Sequence, residues 1–376
     1  MMMALHLPGL PHTVTTEEYS HCAFTEKVLK FAKMFALHQP EYRVVHYGVE
    51  GAETEAAEQV DIMSRDEQNE LRGHDGNDPA KFYGDDGNTG SPLYLEFNRR
   101  LNELLRERVA DEDLVLMPFG AGHSQGVDGI PAMQLVESGI GYLHLAHAAH
   151  KVFESEAWRH WHQGRADRNG RNYEWVIPNY YDEEAWDVEL SPPRNRVVFL
   201  GRICEIKGLD TIWEIARRRR DMKFEICGQG DPTRWLQDAP NIRYVPPISG
   251  RQRSAYLGHA RAIIVPTLFT EPFGGVAAEA QMCGTPAITT DFGAFTETVE
   301  NGKTGFRCKT LGDFLAALDR APELDRAYIA ERARNRYGLE PVSRLYDRAF
   351  RQIIGLRGDG WNSLESDYWK GARHAG

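Results

Sequence analysis

The chain has 376 residues, of which 41% are hydrophobic and 26% charged, a composition that excludes wholesale disorder and collagen-like repetition. At about 150 residues per domain, this length predicts two domains. No apolar run approaches the roughly 20 residues needed to span a bilayer, and residues 1–13 lack the basic start of a signal peptide. Five scattered cysteines form no Cys-x-x-Cys pair. They point to a reducing cytoplasm rather than a disulfide framework or zinc site. The net charge of −11 is uneven. Residues 1–178 carry 16 Lys and Arg against 28 Asp and Glu, and residues 179–376 carry 28 against 27. The two halves are expected to meet different ligands, and the acidic first half suits neither nucleic acid nor anionic membrane in general.

The first element is a strand over 4–7, opening into the loop Pro8-Gly-Leu-Pro-His-Thr13. An amphipathic helix follows over 22–38, with Phe24, Val28, Phe31, Ala32 and Phe35 at helical spacing. A strand is predicted at 43–46, and a long irregular loop over 72–91, whose Asp85-Asp86 pair reads as a solvated turn. A helix over 93–109 and a strand at 114–117 come next, with further strands at 134–137 and 152–154. Ser191-Pro-Pro193 marks the join within 177–194.

The second half alternates more plainly. Strands are predicted at 196–200, 224–227, 242–245, 262–265 and 286–289, and helices at 209–220, 254–260, 275–283, 311–318 and 327–336. Such alternation implies a parallel sheet covered on both faces. The expected domains are 1–190 and 191–355. A terminal segment, 356–376, would return to the first domain through Trp361, Tyr368 and Trp369. The run Arg217 to Arg220 reads as a solvated helix end that compensates the helix dipole.

The segment that carries chemistry is Pro266-Thr-Leu-Phe-Thr-Glu271-Pro-Phe-Gly-Gly-Val-Ala-Ala-Glu279. It starts at the end of a buried strand, where open parallel sheets place ligands. Gly274 and Gly275 precede a helix, and free amides there make an anion seat that a phosphate can approach closely. Eight helical residues span about 12 Å, farther apart than the roughly 5–9.5 Å of a glycosidase carboxylate pair. Glu271 and Glu279 are therefore expected to make separate contacts with an extended ligand. A second cluster, Gly201-Arg202-Ile-Cys-Glu-Ile-Lys207-Gly208, follows a strand and offers two cations suited to a diphosphate.

Together with Gly228-Gln-Gly230, and with Asn301-Gly-Lys-Thr-Gly-Phe306 closing the stretch, this pattern resembles the family-four retaining glycosyltransferases of the GT-B fold. The resemblance covers residues 194–350. It is thinner over 1–190, where Ile177-Pro-Asn179 and Asp182 match. It implies an α/β architecture of two Rossmann-like domains facing across a cleft, and a nucleoside-diphosphate-sugar donor held as a substrate, with no separate cofactor. No obligatory metal is expected, because cationic side chains and helix amides can stabilise the leaving diphosphate. Arg202 and Lys207 would hold the diphosphate, Glu279 the ribose hydroxyls and Glu271 the donor sugar. The backbone of Phe273, Gly274, Gly275 and Val276 would hold sugar and phosphate, and that near Val245 and Pro246 the base. The sequence departs from the family in the first domain, where Glu137 stands in place of a usual histidine near the reacting centre.

The acceptor is expected in the first half, on loops carrying His12, His123, Ser124, Tyr142 and His144, with Glu137 at their edge. These loops contain no Lys or Arg, which favours a carbohydrate or small hydroxyl acceptor over a phosphate backbone. His12-Thr-Val-Thr, the stretch from Tyr19 to Lys27, and Val152-Phe-Glu-Ser155 with Ala157-Trp158 resemble glycosyltransferase-like proteins of bacteriophages. That implies an alternative acceptor, a hydroxymethylated DNA base, with cations drawn from Lys27, Lys30 and Lys33. A non-enzymatic nucleotide-sugar-binding protein on the same fold is a further alternative, and an epimerase a lesser one.

Overall fold

The computed structural model describes residues 3–20, 22–73, 87–167, 174–190 and 195–358. Two parallel sheets organise it. The chain opens with β1 (Met3–Pro8), α1 (Ala23–His38), β2 (Tyr42–Val49), β3 (Glu58–Met63), α2 (Arg65–Arg72), α3 (Pro92–Arg108), β4 (Leu114–Leu116), β5 (Leu135–Ile140) and β6 (His150–Phe153). Helix α4 (Glu156–Arg165) and strand β7 (Glu174–Val176) follow. The first sheet has the order β3-β2-β1-β4-β5-β6-β7. Its strand order reverses between β1 and β4, so the crevice for a ligand lies at the loops that follow those two strands.

The second sheet is built from β8 (Arg196–Leu200), α5 (Leu209–Arg218), β9 (Lys223–Cys227), α6 (Thr233–Leu236), β10 (Ile242–Val245), α7 (Gly250–Gly258) and β11 (Ala262–Val265). It continues through α8 (Gly275–Met282), β12 (Ala287–Thr290), α9 (Phe295–Thr298) and β13 (Gly305–Cys308). Helices α10 (Leu311–Arg320), α11 (Arg326–Tyr337) and α12 (Leu339–Gly358) close the described chain. The sheet order is β10-β9-β8-β11-β12-β13, with the reversal between β8 and β11. All four residues of β11 are buried, as expected of a strand with helices on both faces. Helix α5 turns Leu209, Ile212, Ile215 and Ala216 inward, onto the same core as Val197, Phe224 and Ile264.

The α/β architecture of two Rossmann-like domains holds. The chain's division differs from the expected boundaries near 190 and 355. One compact unit takes the residues up to Phe153, those of β7 to Ile177, and Val342 onward; the other takes Glu154–Gly170 and Pro178–Pro341. Helix α4 thus belongs with the second sheet although it lies between two strands of the first. Its N-terminal turn explains why: Ser155 Oγ donates to the Pro272 carbonyl at 2.6 Å, and the Glu156 and Ala157 amides donate to the Glu297 carboxylate at 2.9 and 2.8 Å.

Helix α12 packs on the first unit. Gln39 Nε2 donates to Ser343 Oγ at 3.0 Å and Tyr42 Oη to Asp347 at 2.6 Å, while Tyr346 meets Phe31 edge-on. The expected strands at 134–137 and 152–154 are shifted to β5 and β6, and the helix at 254–260 starts earlier, as α7. Strands β3, β7 and β13 and helices α2, α4, α6, α9 and α12 were not among the expected elements. Asp85-Asp86, Ser191-Pro-Pro193, Trp361, Tyr368 and Trp369 lie outside the described residues.

Candidate active site

In the second unit the two motif segments are the loops that follow β8 and β11, the pair of strands at the reversal of order. They are tied together where the Leu268 amide donates to the Ile206 carbonyl at 2.9 Å. Lys207 Nζ donates to Glu271 Oε1 at 2.5 Å and stands 4.5 Å from the centre of the Phe269 ring. Thr267 Oγ1 donates to the same carboxylate oxygen at 3.1 Å. The cation expected on the diphosphate and the carboxylate expected on the sugar therefore share one ion pair. Arg202 is exposed.

Gly274 caps α8 with φ of 76°, a left-handed backbone; a β-carbon there would stand 2.4 Å from the Phe295 ring. Glycine is required at this position by packing as well as by conformation. The neighbouring Gly275 carbonyl accepts from Tyr181 Oη at 3.2 Å. Phe273 is buried with its ring edge-on to Tyr337, which fixes the backbone entering the helix. Val276 is partly buried against the second unit's core. The Ala277 amide donates to the Gly274 carbonyl at 2.9 Å. The Gly275 and Val276 amides ahead of it have no intrahelical acceptors by the nature of a helix start, and the helix dipole adds to their positive character.

Glu279 sits one turn into α8, nearly buried, and accepts from Arg253 Nε at 2.7 Å. Sequence reading gave Arg253 no role. At the end of β10 the Val245 carbonyl accepts from the Gly228 amide at 3.3 Å, and the Pro246 carbonyl from Cys227 Sγ at 3.2 Å. Gly228 also lies close against the loop after β8: a β-carbon there would stand 1.8 Å from the Gly201 carbonyl oxygen.

In the first unit the expected acceptor groups divide. His144 is exposed and Tyr142 half-buried. His12 and His123 are not surface groups as expected. His12 is buried with Nδ1 2.6 Å from Tyr94 Oη. His123 is fully buried, neither ring nitrogen has a hydrogen-bond partner, and burial pulls its pKa down to about 3. Loop residues can look polar and accessible in sequence yet be roofed by aromatics, here Tyr94 and Phe119.

Glu137 is likewise not at an accessible edge; it is fully buried in β5. It accepts from Tyr142 Oη and the Ala146 amide, both at 2.9 Å, and lies 3.7 Å from Lys151 Nζ. Burial pushes its pKa up to about 7, against the pull of Lys151. The folded pKa thus exceeds the ordinary value of 4.5, so stability present below about pH 4.5 is lost as pH rises through about 7. The loss is on the order of 3 kcal/mol. Glu137→Gln is expected to flatten that slope in urea unfolding measured from pH 4.5 to 8. An unchanged slope in the variant would assign the pH dependence elsewhere.

All five cysteines are free. Among the described residues no three His, Cys, Asp or Glu side chains gather so as to hold a metal ion, and no helix is long and apolar enough to cross a membrane.

Comparison with known proteins places these features in context. A glycogen synthase of Mycobacterium tuberculosis is 33% identical over 147 residues, 35% of this chain and 35% of that protein. A D-inositol 3-phosphate glycosyltransferase of Pseudarthrobacter chlorophenolicus is 27% identical over 219 residues, 53% of this chain and 48% of that protein. The matches thus span between a third and a half of these relatives' own lengths. Among solved structures, a glycosyltransferase involved in avilamycin A biosynthesis superposes with a TM-score of 0.66 at 16% identity, covering 94% of this chain and 98% of its own. Anabaena HepE, solved with UDP and glucose, gives a TM-score of 0.62 at 13% identity, covering 93% and 100%. At those identities the likeness is one of fold, and it is the GT-B fold. Residues 194–322, which carry Arg202, Lys207, Glu271, Gly274, Gly275 and Glu279, match the family described as glycosyl transferases group 1.

Proposed function

We propose that the chain is a retaining glycosyltransferase that moves a sugar from a nucleoside-diphosphate sugar to a hydroxyl acceptor. The observation that carries this reading is the convergence of Lys207, Glu271 and the Gly274-Gly275 helix start on the β8 and β11 loops. Arg202, Lys207 and the α8 amides receive the diphosphate as charge develops on it, which is electrostatic stabilisation of a leaving group without an obligatory metal. Glu271 orients the donor sugar and stabilises an oxocarbenium-like transition state, and Glu279 accepts from the ribose. The anomeric carbon keeps its configuration. This assignment makes the protein an enzyme rather than a nucleotide-sugar sensor.

The acceptor in this reading is a carbohydrate or small hydroxyl compound, met by Tyr142 and His144. A hydroxymethylated base in DNA is the second reading, favoured by the phage-like segments. Two of the cations it would draw on are committed elsewhere: Lys27 is buried with Nζ donating to the Gly139 carbonyl at 2.6 Å, and Lys30 pairs with Glu26 at 3.3 Å.

The test is donor hydrolysis across UDP-, GDP-, ADP- and TDP-sugars with the full chain. Release of the nucleoside diphosphate from one of them is expected, undiminished by chelator; no turnover of any donor would sink the enzyme reading. Proton NMR of fresh product reads the anomer, and inversion would remove the retaining assignment. A gel shift with sugar incorporation on hydroxymethylated duplexes would reverse the order of acceptors.

A further inference from the structure

We propose that Arg253, on α7, is a positioning residue for the donor nucleotide, holding one oxygen of the Glu279 carboxylate so that the other is presented to the ribose hydroxyls. This rests on the reading of the second unit as a nucleoside-diphosphate-sugar site, and adds to it a residue outside the motifs. The Arg253 Nε and Nη2 groups both reach Oε2 of Glu279, the first at 2.7 Å. Glu279 Oε1 is turned the other way, 3.9 Å from where a β-carbon of Gly275 would stand. The carboxylate is thus split between two directions: Oε2 to α7, and Oε1 to the helix start where phosphate and ribose would meet.

A guanidinium with Nε bonded to one carboxylate oxygen and Nη2 paired with the same atom anchors that oxygen more firmly than a single ammonium contact does. A glutamate has three rotatable bonds, and a side chain already held in its binding conformation loses less freedom when the ligand arrives. Arg253 is itself held. The next residue, Ser254, is buried; its hydroxyl accepts from the Asp187 amide at 2.8 Å and lies 3.8 Å from Cys283 Sγ, at the end of α8. That contact sets the register of α7 against α8. The arginine also stands near the segment expected to meet the base. Burial raises the Cys227 thiol pKa to about 11, and the Arg253 charge is the largest influence opposing that rise. The same thiol bonds the Pro246 carbonyl.

The experiment compares titration calorimetry of UDP, GDP and ADP, taking the nucleotide that binds most tightly, with its 2′,3′-dideoxy counterpart. The full chain and its Arg253→Ala and Arg253→Lys variants are used. The unaltered protein is expected to prefer the ribonucleotide by at least roughly tenfold, the ratio that about 1.4 kcal/mol gives. Arg253→Ala is expected to lose most of that preference while its affinity for the dideoxy compound stays within about twofold; Arg253→Lys should recover part of it. If Arg253→Ala weakened both ligands alike, the arginine would be acting on phosphate or on folding, and the proposal would fall. It would fall equally if the preference were untouched. If the unaltered protein showed no ribose preference, the ribose role of Glu279 would fail, an outcome distinct from either variant result.

Discussion

Lys207→Ala is expected to weaken binding of the nucleoside-diphosphate sugar by more than roughly tenfold, which corresponds to about 1.4 kcal/mol. A charge-assisted hydrogen bond to a diphosphate contributes roughly 1.5–3 kcal/mol, and Lys207 has two N–H groups beyond the one on Glu271. The same change acts on stability. The Glu271 side chain is 11% exposed and would keep only the Thr267 hydroxyl among its described partners. Removing one member of a fully buried pair costs about 3–5 kcal/mol; here the lysine side chain is 18% exposed, and the cost is a fraction of that. The double variant Lys207→Ala with Glu271→Gln separates the two effects. It should regain stability in urea unfolding and remain a weak binder by calorimetry. An unchanged dissociation constant for Lys207→Ala would remove this lysine from the diphosphate.

Gly208→Ala is expected to cost more than about 3 kcal/mol of stability, placing it among the severe single substitutions. Gly208 has φ of 77°, and a β-carbon there would lie 2.0 Å from the Pro266 carbonyl oxygen and 2.7 Å from its carbon. The left-handed backbone alone costs an L-residue roughly 1–2 kcal/mol. The rest arises because backbone atoms cannot rotate aside, so the start of α5 must back away from the end of β11. Leu209, Ile212 and Ile215 would go with it. Gly51→Ala is the control: its φ is 86° and nothing lies within 4 Å of the added carbon. Urea unfolding of both variants should show Gly208→Ala costing clearly more. Equal losses would mean that α5 does not approach β11 so closely.

This glycine shows how the sequence was informative and where it misled. Gly208 reads as the flank of a phosphate-binding cluster, but its structural role is to let a helix start against a strand end. The second unit was legible because its central strands carry short apolar runs, wholly apolar in β11 and over 197–200 in β8, and its loops carry glycines at fixed places. Strand β3 was missed because Glu58, Gln59 and Asp61 make an edge strand look like a loop; charged residues are how sheet edges avoid pairing with other chains. In α12, Pro341 looks like a break, but it sits in the first turn, where a missing N–H costs nothing. The allegiance of α4 depends on Glu297, which lies 141 residues from the amide of Glu156; no local pattern encodes it. Arg253 was overlooked for a similar reason, since its partner is on another helix.

The piecewise division of the chain bears on how the protein is made. Synthesis runs from the N-terminus, and domains tend to fold as their last residues emerge. The second unit has all its residues once Pro341 has been added. The first unit begins with Met3 but still lacks α12, whose Tyr346 and Phe350 pack on Phe31, Phe35 and Tyr42. The unit translated first is therefore the one completed last, and the aromatic face of α1 and β2 stays uncovered while the whole of the other unit is produced. A nascent chain stalled anywhere between 178 and 341 presents that face to chaperones and to its neighbours on the polysome.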